Sequence, residues 1–202
     1  LNGNKRISFG QIEILSRNSK RIIDLKDIKK LPKLIRKKII KDLKIVTKKN
    51  KNFSSLNFNK IPNIMGILNL TPDSFSDGGK FNKKKIGISH ANSLFQFGAD
   101  IVDVGGESTR PGSKSVSKKE EWNRIGEILK GINKKIPLSL DTRKSEIMSK
   151  GIQIGVKLIN DVSGLSYDSK SFEILKKSKT PFVIQHSQGT PEKMQKNPKY
   201  KN

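Results

Sequence analysis

Short apolar runs alternate with segments of helical periodicity from residue 61 onward. The runs lie at Ile64 to Leu68, Ile101 to Val104, Pro137 to Leu140, Lys157 to Ile159 and Pro181 to Ile184. The segments with helical spacing follow at residues 84–97, 118–131, 144–154 and 169–177. Continuous apolar runs separated by helices are typical of parallel strands that are buried on both faces. The pattern therefore predicts about five successive βα units.

Polar and glycine-rich residues gather just after each predicted strand. In a (β/α)8 barrel the loops at this position carry the active site, whereas a doubly wound open sheet would not repeat the enrichment after every strand. We therefore predict an α/β fold, a (β/α)8 TIM barrel truncated to about five βα units over residues 61–202. Because about eight strands close such a barrel, we expect it to be incomplete at its C-terminal side.

Residues 1–60 form a separate, basic N-terminal extension in this interpretation. Apolar residues from Ile7 to Ile14 predict a short strand or hairpin, and those from Leu31 to Val46 recur at helical spacing, with Pro32 in the first turn. Residues 48–60 are polar and predict a linker. We expect the helix to pack by one face onto the main domain, with a surface-binding amphipathic helix as the alternative.

The formal net charge of +24 in 202 residues adds little to this interpretation. Residues 1–60 hold 18 basic and 4 acidic side chains. Lysine far outnumbers arginine, whereas a nucleic-acid surface favours arginine forks and interleaved aromatic residues. We interpret the charge as a solvated surface and expect no nucleic-acid partner, although a basic nucleic-acid-binding module remains an alternative.

Other features of the composition limit the class of protein. There is no cysteine, so the chain has neither a disulfide framework nor a thiolate metal site. No run of eighteen or more apolar residues occurs, and the first residues lack the apolar core of a signal peptide. We therefore expect a cytoplasmic protein with no membrane partner.

The loop after the first strand of the barrel, Asn69–Gly79, is rich in hydroxyl groups, oxygen ligands and glycine. An amide oxygen at a strand end is a ligand that Mg²⁺ accepts beside substrate phosphates and water. The alternative is a polar turn whose Asp and Ser side chains cap the next helix. Both interpretations remain open from the residues alone.

The second polar segment, Asp103–Gly112, places Arg110 among hydroxyl groups and glycines, an arrangement suited to holding an anion. Arg110 could instead pair with Glu107. At the next two strand ends stand Asp141 and the pair Asn160-Asp161, and a carboxylate with an amide can bind the N–H and C=O edge of a heterocycle. Singly, each could be a helix cap or a buried, hydrogen-bonded polar group.

Five segments, taken in order, resemble the motifs of the dihydropteroate synthase family. They are Asn69–Gly79, Gly105–Gly112, Asp141-Thr142, Asn160-Asp161 and His186–Pro191. The resemblance runs from about Ile61 to Tyr200, with one motif at each strand end, and does not include the extension.

The resemblance implies a (β/α)8 barrel that condenses 6-hydroxymethyl-7,8-dihydropterin diphosphate with p-aminobenzoate, giving 7,8-dihydropteroate and diphosphate in folate biosynthesis. It implies that Asn69 contacts Mg²⁺ and the diphosphate and that Thr109 contacts the pterin diphosphate. Asp141 and Asn160 would line the pterin pocket. Asp141 would also be catalytic, because it would stabilise the cationic pterin methylene that remains when diphosphate leaves.

The resemblance also assigns residues to two loops that close over the site and shape the p-aminobenzoate pocket. They are Phe75, Ser108, Arg110 and Pro111. The expected partners are the two small-molecule substrates and, for a full-length protein, a second copy in a homodimer.

Two departures from the family pattern shape the expectation. Ser187 stands where the family usually has methionine, and the later pocket aspartate, lysine and Arg-x-His clamp cannot be assigned. We therefore expect these 202 residues alone to be inactive. The alternative enzyme class is a methyltetrahydrofolate-dependent corrinoid methyltransferase, which shares the pocket aspartate and asparagine but does not need the Asn69–Gly79 loop.

Overall fold

The computed structural model describes residues 3, 6–49, 51–57, 62–71, 84–108 and 113–186. The chain divides into two compact units. The first comprises Leu1–Asn52 and Asn57–Ile61, and the second comprises Phe53–Leu56 and Pro62–Asn202.

The first unit contains a β-hairpin followed by helices. Its elements are β1 (Gln11–Leu15), β2 (Lys20–Asp24), a 3-10 helix (Leu25–Lys30) and α1 (Lys33–Thr47). The strands pair antiparallel, with Ile12 opposite Ile23. A small core forms where Ile23 and Ile28 meet Ile39 of α1. The predictions of a short strand or hairpin and of a helix are confirmed, but Pro32 is the N-cap residue of α1 and does not lie in its first turn. The second strand of the hairpin and the 3-10 helix were not predicted.

The second unit contains parallel strands that alternate with helices. The elements are β3 (Met65–Asn69), α2 (Lys84–Gln96), β4 (Ile101–Gly105), α3 (Lys118–Gly131), β5 (Leu138–Asp141), α4 (Ser145–Ile154), β6 (Leu158–Asp161), α5 (Ser171–Ser178) and β7 (Phe182–Ile184). Among the described residues the sheet order is β3-β4-β5-β6-β7, and every pairing is parallel. The predicted α/β fold of about five βα units of a (β/α) barrel is confirmed.

One face of this sheet packs against the helices and forms the core of the second unit. Leu68, Val104 and Leu140 are fully buried on this face and pack with Ile125 of α3 and Ile147 of α4. β-branched and leucine residues at every second strand position produce this apolar surface, because successive side chains point to opposite faces. The packing fixes each strand against its helix and so fixes where each strand ends.

The opposite face changes from apolar to polar along the strands. Paired residues in parallel strands share a face, so the register places Met65 beside Ile101 on this side and, further along, Ile67 beside Asp103. Ile67 is 61% exposed, whereas Ile101 is fully buried. Polar side chains follow toward the carboxyl ends of the strands. The chemistry expected from the sequence therefore lies on the face away from the helices.

Helix boundaries follow local capping signals. The side chain of Ser117 accepts a hydrogen bond from the backbone N–H of Glu120 at the start of α3, with two glutamates in the first turn. α4 ends at Gly155, whose φ of 103° is a left-handed conformation that favours glycine. Within the described ranges, every helix is too short or too polar to cross a membrane.

Candidate functional site

Three of the predicted site residues lie in one row across the carboxyl ends of four strands. The register pairs Asn69 of β3 with Gly105 of β4, Gly105 with Asp141 of β5, and Asp141 with Asn160 of β6. Each strand therefore contributes one residue to the same level of the same face. The sequence predicted that these side chains converge at a common rim, and the register brings them together there.

Gly105 leaves an opening between two of these side chains. A Cβ atom built on Gly105 would lie 3.3 Å from Oδ1 of Asn69 and 3.5 Å from Oδ2 of Asp141. The amide and the carboxyl group therefore border the same space from neighbouring strands. Because Gly105 has no side chain, a flat ligand can approach the strand backbone between them.

Asp103 belongs to the same surface, although it was not among the predicted site residues. It lies two residues before Gly105 on β4 and is 5% exposed. Asn160 Nδ2 donates a hydrogen bond of 3.0 Å to Asp103 Oδ2. In the described part of the chain, the buried Oδ1 of Asp103 has no hydrogen-bond partner. A buried acceptor without a partner is costly unless a ligand or a proton satisfies it, so Asp103 is a candidate ligand contact.

The carboxyl group of Asp141 is strongly perturbed. Burial, together with repulsion from Asp103, Glu121, Asp161 and Glu107, raises its pKa to about 8. Its Oδ1 is buried and has no hydrogen-bond partner among the described residues. Burial also raises the pKa of Asp103, although the neighbouring Ser139 hydroxyl and the bond from Asn160 oppose this. Asp141 therefore holds a proton near neutral pH and releases it when positive charge comes close.

Glu107 follows β4 and forms a buried ion-pair cluster with the residues after β5. Its carboxylate accepts bonds from Arg143 Nε at 2.8 Å and Arg143 Nη2 at 3.2 Å, and Lys144 Nζ lies 2.9 Å away. Burial alone would raise the pKa of Glu107, but bonds from Arg143, the backbone N–H of Val116 and Lys144 outweigh it and lower the pKa to about 2. Glu107 is therefore a permanent carboxylate in this cluster.

Asp161 has a structural role. It is a buried, hydrogen-bonded polar group, which was the alternative to ligand binding for the Asn160-Asp161 pair. It is fully buried on the helix side of the sheet, in register with Ile184. Its Oδ1 accepts from the backbone N–H and the hydroxyl of Ser163, both at 2.7 Å, and its Oδ2 accepts from Leu165 N–H at 3.1 Å. The side chain closes the turn after β6 and does not face the row.

Four predicted site residues lie outside the described residues. They are Phe75, Thr109, Arg110 and Pro111. Ser108, the last described residue before that gap, is partly buried, and its carbonyl oxygen accepts a bond of 2.6 Å from the hydroxyl of Ser113. The roles assigned to these five residues stay predictions.

The described residues contain no group of three His, Cys, Asp or Glu side chains that could hold a metal ion. The amide oxygen of Asn69 borders the space beside the Asp141 carboxyl group. One hard oxygen ligand of this kind fits Mg²⁺, which binds few protein groups and takes its other ligands from phosphate and water. The Mg²⁺ site stays a prediction.

Comparisons with known proteins agree with this arrangement. The dihydropteroate synthase of Neisseria meningitidis serogroup C is 46% identical over 145 residues, which are 70% of this chain and 51% of the relative. The structure of Xanthomonas albilineans dihydropteroate synthase with 4-aminobenzoic acid superimposes with a TM-score of 0.58 at 38% identity, covering 63% of this chain and 47% of that one. The structure of Anaplasma phagocytophilum dihydropteroate synthase with bound 6-hydroxymethylpterin-monophosphate superimposes with a TM-score of 0.57 at 39% identity. The match covers 67% of this chain and 52% of that one.

The match to a family model covers the part of the chain that carries the row of polar residues. The chain spans about half the length of the curated relatives it matches. A family model described as pterin binding enzyme matches residues 65–202, which include β3 to β7 and all the predicted site residues. The chain therefore belongs to the family of pterin binding enzymes.

Proposed function

We propose that the protein is a dihydropteroate synthase, which condenses 6-hydroxymethyl-7,8-dihydropterin diphosphate with p-aminobenzoate in folate biosynthesis. The observation that carries the proposal is the row formed by Asn69, Asp141 and Asn160, with Asp103 bonded to Asn160 below it. Relatives at 38–46% identity with the same name support it. The two small-molecule substrates are the proposed partners.

Two kinds of group would recognise the pterin ring, the amide of Asn160 and the carboxyl group of Asp141. Asn160 has an amide that can donate and accept, and its Nδ2 already orients Asp103. Asp141 carries a proton near neutral pH, because burial raises its pKa to about 8. A protonated carboxyl group donates one hydrogen bond and accepts others, so the set matches the alternating N–H and C=O edge of a pterin ring. The buried Oδ1 atoms of Asp103 and Asp141 gain partners when the ring binds.

In the proposed reaction the bond between the pterin methylene and the diphosphate oxygen breaks, and a bond forms from that carbon to the amine of p-aminobenzoate. The amine nitrogen then loses a proton. Asp141 stabilises the positive charge on the pterin, because that charge favours the ionised form of its carboxyl group, whose proton passes to solvent water. Asn69 is the candidate ligand for Mg²⁺, which would stabilise negative charge on the diphosphate when bound.

The test measures release of diphosphate that depends on p-aminobenzoate. We would assay the 202-residue chain and, in parallel, the same chain joined to the C-terminal half of the Neisseria meningitidis relative, with folding checked by circular dichroism. Asp141→Asn should lower the turnover rate by roughly 10²–10³-fold, the cost of losing one preorganised electrostatic contact. Glu173→Gln, which alters an exposed carboxylate of α5, is the control and should keep the rate.

Two results would contradict the proposal. One is a folded protein that releases no diphosphate in either form. The other is equal turnover by the parent and by Asp141→Asn. Binding of methyltetrahydrofolate without any response to p-aminobenzoate would instead favour the corrinoid methyltransferase alternative.

A further inference from the structure

The turn that follows Asp141 is held by hydrogen bonds to several different elements. The backbone N–H of Thr142 donates to the carbonyl oxygen of Asn160 at 3.1 Å, and that of Ser145 donates to Asp168 Oδ2 at 3.0 Å. Arg143 forms two bonds to Glu107 and lies over the ring of Tyr167, 4.0 Å from its centre. The turn is therefore attached to β6, to the β6–α5 loop and to the end of β4.

Glu121 of α3 forms the innermost part of this attachment. It is fully buried, and its Oε1 accepts a bond of 2.6 Å from the hydroxyl of Thr142. Its Oε2 accepts from Lys144 Nζ at 2.5 Å, and the same nitrogen lies 2.9 Å from Glu107. One glutamate thus binds the first and the third residue after Asp141 at once.

The charges of the cluster balance. Glu107 and Glu121 meet Arg143 and Lys144, two carboxylates against two cations, all 7% exposed or less. Buried ion pairs of this kind are tolerated only when each charge is paired and hydrogen-bonded, and they add little net stability compared with apolar packing. Their contribution is geometric, because bonds from several directions leave the backbone one arrangement.

Asp141 stands at the edge of this saturated turn, with a buried oxygen that has no partner among the described residues. A carboxyl oxygen without a bond does not hold its own direction, so that direction depends on how firmly the backbone carrying it is fixed. We propose that Glu121, acting through Thr142 and Lys144, is a positioning residue that sets the direction of the Asp141 carboxyl group. The inference rests on the proposed function, since that function gives Asp141 its task.

The test separates the hydroxyl bond from the bulk of the side chain. Thr142→Val keeps the shape of Thr142 and removes its bond to Glu121, together with the bond of 3.3 Å that its Oγ1 accepts from the backbone N–H of Lys144. Thr142→Ser keeps the hydroxyl and both bonds, and removes only a methyl group. Thr47→Val is a matched control, because it removes a hydroxyl bond of 2.7 Å to the Leu43 carbonyl in the first unit. All three variants are compared with the parent by thermal unfolding.

The first measurement needs no substrate. Amide hydrogen exchange, followed by mass spectrometry over residues 138–148, should be about tenfold faster in Thr142→Val, because the turn opens locally more often. Thr142→Ser and Thr47→Val should exchange like the parent. Equal exchange in Thr142→Val and the parent would overturn the inference.

The second measurement is the kinetic split in the diphosphate assay. Thr142→Val should lower kcat about tenfold and leave KM for p-aminobenzoate within about twofold, because the reacting geometry changes while that substrate's pocket does not. Thr142→Ser should restore kcat. A Thr142→Val variant with parental kcat, or a Thr142→Ser variant that loses as much, would show a purely structural role and overturn the inference.

If no form of the protein, the parent included, turns substrates over, the proposed function fails. The exchange measurement then decides the inference by itself, because it reports on the turn whether or not a reaction occurs. Faster exchange confined to Thr142→Val would support the positioning, and exchange equal to the parent would refute it.

Discussion

Replacing Asp141 by asparagine should change how the stability of the second unit depends on pH. Burial and neighbouring carboxylates raise the pKa of Asp141 from 3.8 to about 8. An unfolded chain releases this proton near its ordinary pKa, so between these two values the folded protein binds one proton more than the unfolded protein. The free energy of unfolding therefore falls as pH rises through this window.

The size of the effect follows from one proton. The expected slope is about −1.4 kcal/mol per pH unit, which gives a loss of roughly 2.7 kcal/mol between about pH 5 and about pH 7. Asparagine has nearly the same shape and does not titrate, so the Asp141→Asn variant should lack this contribution. Every other group titrates in both proteins, and the difference between the two curves isolates Asp141.

The measurement is urea unfolding followed by the fluorescence of Trp122, the single tryptophan, which lies on α3 in the second unit. Asp168→Asn is the control. Hydrogen bonds from Ser145 and the backbone N–H of Lys170 lower the pKa of Asp168 despite its partial burial, so its titration lies below the window. Parallel curves for the parent and Asp141→Asn across the window would refute the perturbed pKa and the proton assigned to Asp141.

Three further substitutions test the site and the core. Gly105→Ala should change the unfolding free energy by no more than about 1 kcal/mol. It should weaken pterin binding about tenfold in calorimetry, because the new methyl group fills the opening beside Asp141. An unchanged affinity for pterin would contradict this. Gly151→Ala should cost about 1–3 kcal/mol in urea unfolding, because its Cβ would clash with Leu140 Cδ2. Ile147→Ala should cost about 2–5 kcal/mol in the same assay, because it leaves a cavity at a fully buried position; equal stability of either variant and the parent would contradict the packing.

The strands and helices of the second unit were predictable because their apolar periodicity is strong. The bounds of α3, Lys118–Gly131, were predicted without error, and the strands differ by one or two residues. Parallel strands buried on both faces leave a continuous apolar run that few other elements share. The 3-10 helix Leu25–Lys30 was missed, since six largely polar residues carry no periodic signal.

The site was predictable where polar residues stood at the ends of apolar runs, as Asn69, Asp141 and Asn160 do. Asp103 was missed because it lies inside such a run and looked like part of a buried strand. An acidic residue inside the apolar run Ile101 to Val104 was the signal that could have identified it. The opposite orientation of Asn160 and Asp161 could also have been predicted, because neighbouring residues of a strand point to opposite faces.

Glu121 and Lys144 could not be identified from the sequence. They belong to two charged segments, Lys-Lys-Glu-Glu and Thr-Arg-Lys-Ser-Glu. Such segments are typical of the solvent-exposed first turn of a helix. Only the packing of α3 against α4 and β4 buries both and pairs them. Burial of a charged residue depends on partners that are distant in the chain, which local patterns do not contain.

Four different strands contribute the row from Asn69 to Asn160. The register between neighbouring strands therefore decides which side chains the row contains. A slip of β5 by one position against β4 would turn Asp141 toward the helices and bring an adjacent residue into its place. Substitutions far from the row, where the helices pack on the sheet, would therefore abolish the proposed activity if they shifted a strand, even though the residues of the row themselves are unchanged.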